Sequence, residues 1–392
     1  MAQKNIVVVG AGVIGISSAL LLRKAGHAVT IIARDFPAPF ETIDPINQIN
    51  YTSPWGGAHN RWVPPSPAQP HTALEHPLSL STYSHMKKLH SLHPQTAGIT
   101  FLPGIEYLES PPPEYLSLSS PTDPVARSLA SLCGFRVLPP SSHPDAKVKW
   151  ACEYETYCVN PMVYLTFLLR RFFHQGGKIV RQELRSISEV FALRPAEDLL
   201  LGQPSSSSSS QCARIDAVVN ASGTNFGQDP DVFVTRGQTV LVAEECDATV
   251  TRQNSDGSWT FSVPRGFEGG TVIGGTKEVG NWDVKPDPKV REELLKKFGE
   301  TYPKIFKEGG KKELTVLRDI VGRRPTRKGG PRIEGEVLDA QGGGGGGGGG
   351  FVMHAYGLGG RGYELSWGVA EKVVEGVEKY FQGQEEEAKA KL

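Results

Sequence analysis

Between residues 5 and 35 the chain passes through three patterns of apolar and polar positions. Ile6-Val7-Val8-Val9 is an uninterrupted apolar run, as expected of a parallel strand covered on both faces. The turn Gly10-Ala11-Gly12-Val13-Ile14-Gly15 follows, then a helix predicted over Ser17–Ala25 with its stop at Gly26, and a second strand over Val29–Ile32. Residues 36–150 lose this regularity. Pro, Ser and His dominate there, only short amphipathic pieces such as Leu78–Leu92 stand out, and Pro111-Pro112-Pro113 and Leu138-Pro139-Pro140 mark loops. Asn160 and Pro161 open a helix that runs to about His174 and closes at Gly176-Gly177. Ala217–Asn220 reads as another buried strand leading through small residues to Gly223. From Phe233 to Thr276 the segments Thr239–Val242, Trp259–Val263 and Thr271–Ile273 predict an antiparallel sheet, followed by a helix over Pro288–Phe298. Phe351–Ala355 is again strand-like, and Gly357, Gly359, Gly360 and Gly362 precede a helix over about Leu365–Tyr380.

This order predicts a two-domain α/β protein. A Rossmann-like dinucleotide-binding domain is discontinuous, over 1–60, 150–230 and 320–385. A substrate domain on an antiparallel or mixed β-sheet occupies 61–149 and 231–319. Ser205–Ser210 and the glycine run 342–350 are predicted surface loops, because neither residue buries enough to offset its ordering entropy. Residues 383–392 are predicted to be a flexible tail. Composition narrows the function. The 392 residues carry 42 Lys+Arg against 42 Asp+Glu, so the basic excess of a nucleic-acid binder is missing. No apolar run approaches the roughly 18 residues of a membrane span. No basic, apolar leader opens the chain, so a signal peptide is not expected. Five cysteines without CxxC pairing or metal-ligand spacing predict buried thiols in a reducing compartment and no metal site. Ala390-Lys391-Leu392 is close to the peroxisomal Ser-Lys-Leu address, which predicts an import receptor as partner and the peroxisomal matrix as location.

The glycines carry the first chemical signal. Gly10, Gly12 and Gly15 fit G-x-G-x-x-G between a strand and a helix, where they permit a tight turn, close approach of a pyrophosphate and close helix–strand packing. The pyrophosphate would then rest on the amides of the helix N-terminus. The second strand ends in Arg34-Asp35. Asp35 suits a ribose hydroxyl, and Arg34 suits a 2'-phosphate or is surface charge. The motif by itself leaves NAD, NADP and FAD open, and with them an NAD(P)-dependent dehydrogenase.

Taken together, several segments resemble the D-amino-acid oxidase family, which includes the D-aspartate oxidases. They are Val8–Gly15, Ala33–Asp35, Ser53–Ala58, Arg236–Thr239, Gly274–Thr276 with Gly280–Trp282, Val321–Pro325, and His354–Gly357 continuing to Gly362 and Ser366-Trp367. The resemblance implies non-covalent FAD in an extended pose. Gly10, Gly12, Val13, Ile14 and Gly15 would hold its pyrophosphate, with Arg34, Asp35 and the backbone of Leu184 on the adenosine side. Gly56, Gly57 and Ala58 would lie along the flavin, and Gly359, Gly360, Gly362, Tyr363 and Glu364 at its edge. The implied reaction moves hydride from the substrate Cα to the flavin, hydrolyses the imino acid to oxo acid and ammonia, and returns the electrons to oxygen as hydrogen peroxide.

The resemblance also implies the substrate site. Arg324 matches the arginine that grips the α-carboxylate, a task suited to a planar fork, and Gly360 falls at the reacting edge. A tyrosine hydroxyl that assists this grip in the family falls at Phe261 here; either another group such as Tyr356 takes its place, or the register is shifted by one residue. His59, Arg61, Arg252 and Lys277 fall in or near the segments that line the side-chain pocket. Several cations there would recover their desolvation cost only against a second carboxylate. The expected substrates are therefore D-aspartate, with D-glutamate and N-methyl-D-aspartate as related candidates. Neutral D-amino acids remain the alternative.

Overall fold

The computed structural model describes residues 2–39, 42–193, 215–306, 313–338 and 350–390. In chain order its first elements are β1 (Asn5–Val9), α1 (Val13–Lys24), β2 (Ala28–Ala33), α2 (His71–Leu92), β3 (Ile99–Leu108), α3 (Pro113–Ser117), α4 (Pro124–Cys133) and β4 (Arg136–Val137). Next come β5 (Trp150–Val159), α5 (Pro161–His174), β6 (Lys178–Arg181), α6 (Ser188–Ala192), β7 (Ala217–Asn220), β8 (Val232–Val242), β9 (Thr249–Gln253) and β10 (Trp259–Pro264). The last are β11 (Thr271–Gly274), β12 (Glu278–Val279), α7 (Pro288–Thr301), β13 (Val316–Arg327), β14 (Arg332–Leu338), β15 (Gly350–Tyr356) and α8 (Gly362–Ala390). The serine insert, Cys212, the glycine run up to Gly349 and the residues Lys391-Leu392 lie outside the described residues. Among those described, no helix is long and apolar enough to cross a membrane.

The chain divides into two units, one made of 1–38, 165–233 and 325–392, the other of 39–164 and 234–324. In the first, the strand order is β14-β15-β7-β1-β2-β6. β1 is hydrogen-bonded in parallel on both sides, with Val8 opposite Ile31 of β2 and Val219 of β7. That central position explains the unbroken apolar run, since Ile6 to Val9 are all buried. β15 adds parallel to β7, and β14 closes the edge antiparallel to β15.

The second unit holds a mixed sheet in the order β12-β8-β11-β10-β9-β3-β5-β4, with β13 also paired to β8. One face packs Tyr107, Val240, Val250 and Ile273 against Leu294 and Phe298 of α7. By the two-residue alternation of strands, the other face presents Thr251, Phe261 and Gly237.

Three expectations change. Residues 39–60 and 150–164 belong to the sheet unit rather than to the dinucleotide unit. The cause is pairing: the Asn60 amide donates to Tyr157 O and the Val159 amide to Ala58 O, which knits this segment onto β5. β3 lies in the stretch read as irregular. Pro103 and Gly104 disguised it, and Pro103 is tolerated because the β9 ladder begins only at Gly104. Finally, residues 383–390 continue α8 instead of forming a flexible tail, as their Glu, Ala and Lys content favours.

Candidate active site

In the first unit the glycine turn is fixed by contact. Gly10 has φ +106°, and a Cβ there would lie 2.4 Å from Ala221 O. A Cβ on Gly15 would lie 1.9 Å from Gly10 O, so α1 packs onto the turn with no room for a methyl group. Gly12 caps α1 in an extended conformation without a side-chain cap, and no acidic residue occupies the first turn. An uncapped helix N-terminus behind a turn that only glycine can form fits a pyrophosphate, so these residues pass the test for a dinucleotide. At the tip of β2, Arg34 Nε pairs with Asp35 at 2.8 Å and its Nη1 reaches Glu183 at 3.4 Å. A 2'-phosphate at Arg34 would have to displace those carboxylates. Leu184 packs into the cluster of Val7, Val9, Ile32 and Val218, which leaves its backbone for any ligand contact.

The Gly357–Glu364 segment is tied down locally. The Gly357 amide donates to Gly223 O at 3.3 Å and the Gly359 amide to Pro325 O at 2.8 Å. Gly357 and Gly359 both have positive φ, Gly360 is exposed, and Tyr363 is buried. Glu364 is buried and pairs with Arg361 at 2.6 Å. Tyr356 is not the substitute for the missing tyrosine hydroxyl. Its hydroxyl donates to Asp229 at 2.8 Å and accepts from Arg332 at 3.3 Å, with Arg327 on the same Asp229 at 2.9 Å. A hydroxyl engaged on both sides by a charged network has no further role to give a ligand.

In the second unit a row of residues lies on the Phe261 face of the sheet. Phe261 stands opposite Gly274 and Thr251. Its ring covers Gly274 and Gly275 so closely that a Cβ on either would come within 2.3 and 2.5 Å of it. Gly57 approaches the same ring, at 3.7 Å from a built Cβ. His59 stacks on it with centroids 6.3 Å apart. At the other end, Arg324 crosses over β8 at Gly237, where a Cβ would meet its guanidinium carbon at 2.6 Å, and Nη1 donates to Thr276 O at 3.2 Å. Thr276 is itself anchored, because its Oγ1 accepts from the Gln238 amide at 2.7 Å. Gly56 and Ala58 fall in the same strand-edge segment, and Ala58 has φ +58°.

Arg324 differs from several other arginines of the chain. Arg236, Arg252, Arg327, Arg332 and Arg361 each hold a carboxylate. Among the described residues none pairs with Arg324, and burial lowers its pKa from the ordinary arginine value against the opposing charge of Glu278. A desolvated guanidinium with its fork uncommitted is a carboxylate receptor.

The cationic cluster expected around the substrate side chain does not form. Arg252 pairs in register with Thr260, not Phe261, and therefore points to the opposite face of the sheet. There its three guanidinium nitrogens go to Glu109 and Asp145, at 2.5 to 3.1 Å. Arg61 is buried against Glu106 at 3.2 Å and lies 4.3 Å over the Trp259 ring, and Tyr154 donates to the same carboxylate at 2.5 Å. Lys277 is exposed, one residue past Thr276. Arg252→Met is accordingly expected to leave the ratio of rates on different substrates unchanged. It should lower stability by about 3–5 kcal/mol, since Glu109 stays buried without its partner; a melting curve and a two-substrate rate ratio check this.

Gly237 and Thr276 fall in segments that carry the family resemblance but had no role assigned from the sequence, and Thr249 was not singled out. The signal for Gly237 was a glycine inside a strand, which marks a close approach. Gly237→Ala is expected to push aside the flexible end of Arg324 while the fold holds. KM should rise at least about tenfold, equivalent to about 1.4 kcal/mol, with little change in melting temperature; steady-state kinetics beside a thermal melt distinguish this from general damage.

A family model described as FAD dependent oxidoreductase (DAO) matches residues 5–375, and the chain belongs to that family. It is 39% identical over 383 residues to a D-aspartate oxidase of Talaromyces thermophilus, covering 95% of this chain and 94% of that one. It is 31% identical to a D-amino-acid oxidase of Fusarium vanettenii, covering 96% and 97% of the two chains. Among solved structures it resembles the glycine oxidase of Geobacillus kaustophilus with a TM-score of 0.64, at 17% identity over 97% of this chain and 95% of that one. This last similarity concerns the fold. The cofactor of the family is FAD.

Proposed function

We propose that this protein oxidatively deaminates acidic D-amino acids, D-aspartate first, with D-glutamate and N-methyl-D-aspartate as related substrates. The observation that carries the amino-acid part of the reading is Arg324, a desolvated guanidinium without a carboxylate partner among the described residues, beside an aromatic platform. The 39% identity to a D-aspartate oxidase supports the acidic class. Bound FAD supplies the acceptor for the hydrogen and electron pair that leave the substrate Cα. The chain's own residues bind and orient. Arg324 fixes the α-carboxylate, Gly237 and Thr276 O set where its fork lies, and Phe261 excludes water from one side of the substrate. Orientation of this kind converts binding into rate. The imino acid then hydrolyses to an oxo acid and ammonia, and oxygen is reduced to hydrogen peroxide.

The alternative, neutral D-amino acids, is favoured by the apolar Phe261 and by the diversion of Arg61 and Arg252 to internal acids. Initial rates of oxygen uptake on D-aspartate, D-alanine and L-aspartate decide. Faster turnover of D-alanine than of D-aspartate would overturn the acidic preference, and turnover of L-aspartate would overturn the stereochemistry. We propose also that Ala390-Lys391-Leu392 addresses the protein to the peroxisome through an import receptor. A fluorescent fusion that stays peroxisomal after deletion of these three residues would remove that reading.

A further inference from the structure

His59 ends the row that begins at Arg324, and its hydrogen bonds define which of its nitrogens carries the proton. Thr249 Oγ1 donates its single hydrogen to Ser262 O at 2.8 Å. The same oxygen lies 2.5 Å from His59 Nδ1, so in that contact the hydroxyl accepts and Nδ1–H donates. A neutral ring with its hydrogen on Nδ1 presents a lone pair at Nε2. The surroundings keep it neutral. Burial drives its pKa down first and the Arg61 guanidinium second, to about 3. Phe261 on β10 is apolar, and the Cys158 thiol on β5 is held protonated by burial.

We propose that Thr249 is a positioning residue that locks His59 as a hydrogen-bond acceptor, so that a substrate side chain reaching Nε2 must bring a hydrogen. A carboxamide does so as it stands, whereas a carboxylate needs one proton from solvent, shared between Nε2 and the carboxyl oxygen. D-asparagine is therefore a second substrate class of the site, and D-aspartate binds with proton uptake. The inference rests on the acidic-substrate reading only for its second half.

The test is the ratio of kcat/KM for D-aspartate to that for D-asparagine in the holoenzyme between mildly acidic and mildly alkaline pH, with D-alanine as reference. Because both substrates share the α-carboxylate and α-amine, the ratio isolates the side chain. The ratio is expected to fall as pH rises, by up to about tenfold per pH unit, the limit for one proton. His59→Leu should make the ratio independent of pH and lower the rate on D-asparagine relative to that on D-alanine. Thr249→Val, which takes away the acceptor for Nδ1–H, should weaken the pH dependence with flavin content retained and the melting temperature lowered by a few degrees, the cost of leaving Ser262 O and Nδ1–H without Thr249 Oγ1. A ratio that does not change with pH in the wild type, or a D-asparagine rate unaffected by His59→Leu, would overturn the proposal. Turnover of D-alanine above both substrates would instead count against the acidic reading, and D-asparagine losing activity selectively in His59→Leu would still uphold the lock.

Discussion

Arg324→Met is expected to lower kcat/KM on D-aspartate by about 10² to 10³-fold, the consequence of removing roughly 2–5 kcal/mol of a desolvated charge-assisted pair. The guanidinium lies across Gly237 with one nitrogen tied to Thr276 O, and among the described residues no carboxylate is paired with it. Methionine fills a similar volume, so the platform of Phe261, Gly274 and Gly275 should persist. Arg324→Lys keeps the charge and loses the fork, and should fall between the two. Steady-state kinetics with flavin content as control separate these outcomes. A loss below about threefold in Arg324→Met would take the residue out of the carboxylate site.

Gly15→Ala is expected to leave the purified protein largely without flavin. The added methyl carbon would stand 1.9 Å from Gly10 O, and backbone on both sides prevents the relief that a flexible side chain would give. α1 must withdraw from the turn, which moves the very amides that the pyrophosphate needs. Overpacking of this kind costs about 1–3 kcal/mol. Carried by the FAD-bound form, about 3 kcal/mol corresponds to roughly hundredfold weaker FAD binding. Flavin fluorescence quenching on titrating FAD into the apoprotein reads this directly; wild-type affinity in Gly15→Ala would mean that the turn does not carry the pyrophosphate. Gly10→Ala should behave similarly, since φ +106° is closed to a side chain at that position.

The two substitutions mark how far the sequence could be read. The glycine turn was legible because its chemistry is local: strand, turn and helix are contiguous, and spacing alone places the three glycines. Arg324 was legible through its motif, although why its fork stays free was not. That depends on Gly237, a residue nearly ninety positions earlier, and on Arg236, which engages Glu278, the acid whose charge Arg324 feels. The cationic pocket failed for a definite reason. Charge proximity in sequence says nothing about which face of a strand a residue takes, and one step of register separates Thr251 beside Phe261 from Arg252 on the other side of the sheet. Likewise, Tyr356 could be nominated from its motif, but only the packing of β14 and β15 reveals that Asp229 and Arg332 already occupy its hydroxyl.

By itself, then, the sequence determined what depends on short-range pattern: the strand–turn–helix that receives a dinucleotide, the return of the C-terminal strand and helix to that domain, the mixed second sheet and the class of chemistry. The tertiary structure decided what depends on pairing across long separations. It moved residues 39–60 into the sheet unit, turned Arg252 and Arg61 to internal acids, laid Arg324 over Gly237 and gave His59 its tautomer through Thr249. The physical reason is common to all four. Which face a side chain occupies, and whether its charge or proton is already committed, is fixed by partners that the chain brings in from far away.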